Sequence, residues 1–220
     1  MIIDHTHPES VRLTKRLGRN RYNGAYFYSC EIVEHIIPNV KTDRNWMTIR
    51  AGAAAVDHSI VFVHDLWKFP EKYGYTFPYD DMLYVVGVPD MLDEVSRYGK
   101  AIYLPLSIDV GYVERFKRDK DRDAAFCGRT EWRTNFMPDG PAEFPDGTDF
   151  LELMPRPQLL SEMARYRTVY AECRTAIEAK VLGCEVIEYH PRFAGKGLFD
   201  VLDSKDAAVL LQEQLDRIDG

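Results

Sequence analysis

Three residues that could bind a phosphorylated ligand lie close together in TVYAECRTAIEAKVLGCEVIEY, residues 168–189: Arg174, Thr175 and Glu178. The pattern of this segment predicts a strand, a tight loop, a short helix and a second strand. In open α/β sheets, ligands bind beyond the carboxyl ends of strands, where helix N-termini present N–H groups to anions. Arg174 and the amides of Thr175 and Ala176 could therefore hold a phosphate, and Glu178 could accept hydrogen bonds from a ribose diol.

The same residues also have a purely structural explanation. Thr175 and Glu178 have the spacing of a capping box, in which the hydroxyl accepts the third backbone N–H of the helix and the Glu reaches back to the cap. Gly183 would then end the helix in a left-handed conformation. From these residues alone, the sequence leaves both explanations open.

A second cation is expected at the same edge of the sheet. The preceding predicted strand, AAFCG at 124–128, ends in Gly128 and is followed by Arg129. The glycine would allow close approach of a ligand, and the guanidinium would attract its phosphate. Two strand ends that each offer phosphate-binding groups favour a ligand site more than either end alone.

The elements that position these residues alternate between strand and helix, which predicts an α/β protein with mainly parallel sheets. Helices are expected after Pro89, at 156–166 and at 204–218, the last with Leu210, Leu211, Leu215 and Ile218 facing inward. Strands are expected at 46–49, 59–65, 82–87, 101–106, 124–128, 168–170 and 185–189.

The alternating pattern restarts near residues 106–122, which predicts two units. We expect an N-terminal, acceptor-side α/β unit at 1–106 and a C-terminal, nucleotide-sugar-binding α/β unit at 107–200. A terminal amphipathic helix is expected at 201–220.

The amino-acid composition limits the classes of protein to which the chain can belong. Of the 220 residues, 45% are apolar and 29% charged, which is typical of a soluble globular protein. No apolar run approaches the roughly 20 residues of a membrane helix, and the N-terminus does not have the form of a secretory signal, so we expect a cytoplasmic location. The four cysteines lack metal-type spacing and are expected to be reduced thiols. A net charge of −7 argues against indiscriminate nucleic-acid binding but allows a local basic patch.

The C-terminal half resembles a known enzyme family. AAFCGR, with the later PRPQLLSEMARYRTVYAECRTAIEAKVLGCEVIEY, is similar to the nucleotide-sugar-binding half of GT-B glycosyltransferases, in which a strand ends in Gly-Arg and a later helix reads LEAMACGTPVI. IEAKVLGCEVI matches that helix around Glu178, Ala179 and Gly183. AIYLPLSIDVGYVERF resembles the interdomain segment, so the resemblance covers about residues 83–190. It implies a GT-B-like fold, with two small Rossmann-like units facing each other across a cleft.

The resemblance also implies a donor site. Glu178 would bind the ribose, Arg129 the diphosphate, and the amides of Thr175 and Ala176 a phosphate. Arg133 is the nearest basic residue to the position where the family often has a Lys. The donor-binding residues implied in this way are Gly128, Arg129, Arg133, Arg174, Thr175, Ala176 and Glu178.

The implied activity is transfer of a sugar from a nucleotide-diphosphate sugar, UDP-linked in the leading interpretation, by a single displacement at the anomeric carbon. Helix-terminal amides and Arg129 would offset the charge of the leaving diphosphate, so no cofactor or metal is required, although a divalent metal is compatible with the sequence. The chain departs from the family where an earlier Glu is usual. Tyr170 holds that position, and Glu172 is the nearest acidic residue.

The N-terminal half offers candidate catalytic and acceptor-binding residues. His64 and Asp65 follow a predicted strand, and either could be the general base that takes the acceptor's proton. Both could equally be structural, with Asp65 capping the next turn and His64 packed in a loop. Trp67 lies in an aromatic loop at 66–81 that could stack on a sugar or a base, or could pack on itself.

The acceptor is predicted from the basic segment at 11–22, which includes Arg16, Arg19 and Arg21. This segment is compatible with a DNA phosphate backbone, or it forms a solvated basic face. Compact GT-B enzymes of T-even-like phages glucosylate 5-hydroxymethylcytosine. The resemblance therefore implies this base as the acceptor, flipped out of double-stranded DNA in the cytoplasm of an infected host. The alternatives are a glycan or polysaccharide glycosyltransferase and a non-catalytic nucleotide-sugar-binding protein.

Overall fold

The structure is a computed structural model that describes residues 2–3, 35–49, 58–63, 81–128, 143–152 and 154–220. The chain forms two compact units. The first consists of Met1–Pro105 together with Ser204–Gly220, and the second of Leu106–Asp203. The end of the chain therefore returns to the unit in which the chain begins. Among the described residues, no helix combines the length and the apolar character that crossing a membrane requires.

The first unit is built on a five-stranded sheet in which all neighbouring strands are parallel. The strands follow one another in the sheet in the same order as in the chain. They are β1 (Ile2–Ile3), β2 (Asn45–Ile49), β3 (Ser59–Val63), β4 (Met82–Val86) and β5 (Lys100–Tyr103). Among the described residues, two helical elements connect strands of this unit. One is a short 3-10 helix at Ile37–Asn39, and the other is helix α1 at Asp90–Val95, which begins directly after Pro89.

Strands β3 and β4 form the centre of this sheet and are buried along their whole length. A parallel strand covered on both faces needs a continuous apolar run rather than an alternating pattern, and SIVFV and MLYVV meet that need. β5 ends at Tyr103, three residues short of the predicted end at 106. Pro105 has no backbone N–H to continue a ladder, which accounts for the shorter strand.

The last helix of the chain, at Ser204–Asp219, is labelled α5 because three described helices of the second unit come before it in the chain. Ala207, Leu211 and Leu215 are buried because residues four apart lie on one face of a helix. The prediction that Leu210 also faces inward is wrong, since Leu210 is 39% exposed. It precedes Leu211 by one position, which rotates its side chain about 100° away from the buried face.

Charged groups fix α5 to the strand starts of the first unit. The buried Arg44, just before β2, donates from Nε and Nη2 to both carboxylate oxygens of Asp219, at 3.1 and 2.6 Å. Its Nη1 donates to Asp81, just before β4, at 2.9 Å. His58, just before β3, contacts Asp81 and Asp43 through its two ring nitrogens. Hydrogen bonds that its ring donates to Asp81 and Asp43 raise the pKa of His58.

The second unit is built on a four-stranded parallel sheet with a different strand order, β7-β6-β8-β9. The strands are β6 (Arg122–Cys127), β7 (Asp149–Phe150), β8 (Tyr166–Ala171) and β9 (Glu185–Ile187). The helices are α2 (Val110–Glu114), α3 (Arg156–Met163) and α4 (Cys173–Val181). From β6 the chain passes to β7 on one side and then returns to β8 on the other. The connections therefore reverse direction between β6 and β8.

An aromatic cluster covers one face of this sheet, formed by Phe126, Phe144, Phe150, Tyr170 and Tyr189. Phe126 on β6 pairs in register with Tyr170 on β8, so both side chains lie on the same face. The Phe144 ring centroid lies 4.9 Å from the centroids of both. Cys127 and Ala171, which pair in the next position, are buried on the opposite face.

The α/β class with parallel sheets, predicted from the alternating pattern, is confirmed. The two sheets are compatible with small Rossmann-like units. Strands lie at each predicted place within the described ranges, with ends shifted by a few residues. α3 ends at Met163 instead of the predicted 166, because Tyr166 already begins β8.

Candidate functional site

The candidate site lies at the carboxyl ends of β6 and β8, the two strands between which the connections reverse. At such a reversal, the loops that leave two neighbouring strands turn to opposite sides of the sheet and open a crevice for a ligand. Gly128 follows β6, and Glu172 leads from β8 into α4. We call Gly128, Glu172 and the first turn of α4, residues 173–176, the strand-end site.

Helix α4 begins earlier than the sequence predicts. Its N-cap is Glu172, whose side chain makes no capping hydrogen bond, and its first residue is Cys173, with a left-handed φ of 55°. Thr175 therefore lies inside the first turn, and the predicted capping box is wrong. The first backbone N–H groups of a helix have no acceptor within the helix. The Ala176 amide donates to the carbonyl of Glu172 at 3.4 Å.

The other end of α4 agrees with the prediction. Gly183 adopts a left-handed φ of 77°. The amide of Gly183 donates to the Lys180 carbonyl, and that of Cys184 donates to the Ala179 carbonyl, both at 3.0 Å. These two bonds form a Schellman motif, which closes the helix and leads directly into β9.

Glu178 lies inside the unit, where two guanidinium groups surround it. Its side chain is 1% exposed, and its Oε1 accepts a hydrogen bond from Nε of Arg156 at 2.9 Å. Nε of Arg174 lies 3.5 Å from the same oxygen. The Arg156 guanidinium also lies over the Tyr112 ring, 5.2 Å from its centroid. A ribose would reach this carboxylate only if the guanidinium groups moved, so the ribose role stays a prediction and the geometry favours an orienting role.

Arg156 is a residue that sequence reasoning missed. It is the first residue of α3, which starts at the same sheet edge as α4, and it is 22 residues from Glu178 in the chain. No local spacing joins the two residues. The available signal was indirect: PRP marks a helix start, and the starts of helices that follow parallel strands lie at the carboxyl edge of the sheet.

Glu172 is a second missed residue, and its environment is unusual for a carboxyl group. It is 9% exposed, and its Oε1 accepts a hydrogen bond from the backbone N–H of His190 at 2.6 Å. Within the described part of the chain, its Oε2 is buried and has no hydrogen-bond partner. Burial raises the pKa of Glu172 to about 8, the Glu188 carboxylate adds to the rise, and the amides of Tyr189 and His190 oppose it. At neutral pH the side chain is therefore mostly protonated.

Packing alone accounts for the glycine at position 128. A Cβ there would lie 2.7 Å from Cζ of Phe126 and 3.1 Å from the hydroxyl of Tyr189. The aromatic cluster therefore excludes any larger residue. The presence of Gly128 is therefore explained without a ligand, and the role of Gly128 in letting a ligand approach stays a prediction.

The structure thus brings Gly128, Arg174, Thr175 and Ala176 to the ends of neighbouring strands, with Glu178 one turn deeper in α4. The remaining predicted site residues lie outside the described ranges: Arg16, Arg19, Arg21, His64, Asp65, Trp67, Arg129 and Arg133. Within those ranges, no group of three or more His, Cys, Asp or Glu side chains is arranged to hold a metal ion.

Comparison with protein-family models, with curated proteins and with solved structures gives no match to this chain. The geometry of the strand-end site and the residues predicted from the sequence therefore carry the functional argument.

Proposed function

We propose that the protein is a glycosyltransferase that takes a sugar from a UDP-sugar and binds the donor's phosphates at the strand-end site. The observation that carries the proposal is the reversal of strand order between β6 and β8, with the start of α4 at the end of β8. Parallel sheets bind nucleotides at this kind of reversal, where a helix N-terminus favours negative charge.

The charges near α4 support an anionic ligand. Arg156 and Arg174 contribute two positive charges and Glu178 one negative charge, which leaves an excess of one positive charge beside the helix start. The side chains of Arg156 and Arg174 are each about a quarter exposed. In a displacement at the anomeric carbon, these groups and the α4 amides would stabilise the leaving diphosphate without a metal.

The proposal extends to a GT-B arrangement and to an acceptor. 5-Hydroxymethylcytosine in double-stranded DNA is the proposed acceptor, with Asp65 or His64 as the general base, and a glycan is the alternative. The support for the DNA acceptor is the run of basic residues at 11–22 and the aromatic loop at 66–81.

A second candidate function is a nucleotide-sugar-binding protein without catalysis. The observation that favours it is the pairing of Glu178 with Arg156 and Arg174, which occupy the carboxylate that would bind the ribose. Such a protein would bind a nucleotide at the strand-end site and would not transfer the sugar.

Calorimetric titration of the full chain with UDP, GDP, ADP and CMP tests the site. We expect UDP to bind, and Arg174→Gln to weaken that binding at least about tenfold, because a charge-assisted hydrogen bond to a phosphate contributes about 1.5–3 kcal/mol. The matched control is Arg167→Gln, which removes an exposed guanidinium from the amino end of β8. Absence of binding to all four nucleotides, or equal weakening by both variants, would contradict the proposal.

Transfer is tested separately with UDP-glucose and a duplex that contains 5-hydroxymethylcytosine. Mass spectrometry of the DNA should find the addition of one hexose per modified base, and an unmodified duplex of the same sequence is the control. UDP binding without any transfer to this duplex or to a glycan acceptor would favour the non-catalytic function.

A further inference from the structure

Within the described part of the chain, the carboxyl group of Glu172 in the strand-end site has one oxygen that is hydrogen-bonded and one that is not. Its Oε1 is held by the amide of His190, so the carboxyl group lies between the ends of β8 and β9. Its Oε2 is buried and has no partner in the part of the chain that the structure describes. Buried polar atoms in proteins are nearly always hydrogen-bonded, so a group that completes this bond is expected.

We propose that Glu172 binds the ligand directly, by donating a hydrogen bond from a protonated carboxyl group to a phosphate oxygen. This inference rests on the proposed function, since it takes the ligand at the strand-end site to be a nucleotide phosphate. It adds a residue that the predicted donor-binding set does not contain. It also makes nucleotide binding dependent on one proton of the protein.

The position of Glu172 favours a phosphate as the partner. It is the N-cap residue of α4, and a helix N-terminus is a place where an anion is the preferred ligand. An ionised carboxylate at this place would repel the phosphate, whereas a carboxylic acid can donate to it. Burial already favours the acid, since the pKa of Glu172 is raised to about 8.

The titratable side chains next to Glu172 are Cys173, Glu188, Tyr189 and His190. Glu188, whose side chain is 10% exposed, adds negative charge that opposes ionisation of Glu172. Burial raises the pKa of Tyr189, which stays neutral. Arg174, in the first turn of α4, is directed toward Glu178. A bound phosphate would add further negative charge and hold the proton on Glu172 more firmly.

The pH dependence of UDP affinity tests the inference. Above about pH 7 the phosphates of UDP are fully ionised, because the second ionisation of a phosphate monoester has a pKa near 6. Between pH 7 and 9.5 the protonated fraction of a group with a pKa of about 8 falls by roughly 30-fold, and the wild-type affinity should fall by the same factor. Glu172→Gln should bind UDP with nearly constant affinity over this range, because its amide donates at every pH.

Two further variants complete the experiment. Glu172→Ala should bind UDP at least tenfold more weakly than Glu172→Gln at pH 9.5, because it has no donor. Glu185→Gln removes an exposed carboxylate from the amino end of β9 and should retain the wild-type pH dependence.

The inference is overturned if wild type and Glu172→Gln lose affinity in parallel, or if Glu172→Ala binds as well as wild type. The second result would mean that water, and not the ligand, completes the bond to Oε2. In both cases UDP still binds and the proposed function stands. If the wild-type protein binds no UDP at any pH, the proposed function fails and this inference fails with it.

Discussion

Glu172 illustrates how folding can hold a carboxyl group in its neutral form. Its pKa is about 8 in the folded protein, against an ordinary value of 4.5 in the unfolded chain. Between these values the folded state binds more protons than the unfolded state, so the free energy of unfolding falls as pH rises. The stabilisation is complete below pH 4.5 and is lost as pH rises through 8.

The predicted consequence is a stability gain in Glu172→Gln that depends on pH. At pH 8 the variant should be more stable than wild type by about 4 kcal/mol, because the Glu172 carboxyl group ionises readily in the unfolded wild-type chain but not in the folded protein, whereas Gln is neutral in both states. At pH 4.5 the two proteins should agree within about 0.5 kcal/mol, because the wild-type side chain is then neutral in the folded state. Urea unfolding at both pH values measures the difference, and an equal difference at the two pH values would contradict a neutral Glu172.

Glu178 is expected to stabilise the second unit through its two arginine partners. Glu178→Gln keeps the shape of the side chain but leaves Arg156 and Arg174 without their shared carboxylate. Breaking a fully buried ion pair costs about 3–5 kcal/mol, and since both arginine side chains are about a quarter exposed we expect about 2 kcal/mol. Urea unfolding at pH 7 measures this loss. Glu185→Gln, on an exposed strand start, should change stability by less than about 0.5 kcal/mol, and an equal loss in both variants would contradict the assigned role.

At the residue scale, the sequence predicts the groups that follow a strand end and misses those brought in from elsewhere. Arg174 and Thr175 were predicted correctly to lie at the start of a helix after β8, because that placement is local. The burial of Glu172 and the pairing of Glu178 with Arg156 depend on how segments that are distant in the sequence pack together. A local sequence pattern does not predict that packing.

At the element scale, Lys120 joins the ends of two helices. Its Nζ donates to the carbonyl of Ala164 at the end of α3 and to that of Leu182 at the end of α4, at 2.9 and 2.8 Å. It also lies 3.1 Å from Sγ of Cys184. The last carbonyls of a helix lack intrahelical donors and carry partial negative charge, so one ammonium group satisfies both helix ends.

Lys120→Met should therefore destabilise the protein by about 2 kcal/mol, because the variant keeps the aliphatic stem and removes the charged donor from two carbonyls. Urea unfolding measures the loss. Lys117→Met is the matched control: it breaks an exposed ion pair with Glu114 and should cost less than about 0.5 kcal/mol. If the two variants unfold at the same urea concentration, Lys120 does not secure the ends of α3 and α4.

Elements with strong patterns are where sequence prediction succeeded. The apolar runs of β3 and β4 and the glycine end of α4 follow from burial on both faces and from left-handed backbone geometry. The predicted start of α4 at Thr175 is wrong because the helix already begins at Cys173, which has a positive φ. A positive φ at a residue other than glycine is uncommon, so the sequence pattern does not predict it. A Thr-x-x-Glu spacing inside a helix looks the same as one at its cap.

At the scale of the whole molecule, the α/β class follows from the alternation of strands and helices, whereas the strand orders do not. Both sheets are parallel, yet one keeps chain order and the other reverses between β6 and β8. In parallel sheets such a reversal opens a crevice that can hold a ligand, and its position depends on the side of β6 to which the chain turns. The pattern of apolar residues is the same for either turn.

The return of α5 to the first unit leads to a prediction about where stability is lost. Leu211 is fully buried and Leu210 is 39% exposed, so Leu211→Ala and Leu210→Ala delete the same atoms from opposite environments. Leu211→Ala should cost about 3 kcal/mol and Leu210→Ala less than about 1 kcal/mol. Because α5 belongs to the first unit, Leu211→Ala should accelerate amide hydrogen exchange in β3 and β4 and leave β6 and β8 protected. Mass spectrometry of the exchanged peptides separates these strands. Faster exchange in β6 and β8 would mean that α5 also stabilises the second unit, and slow exchange throughout would mean that its buried face contributes little.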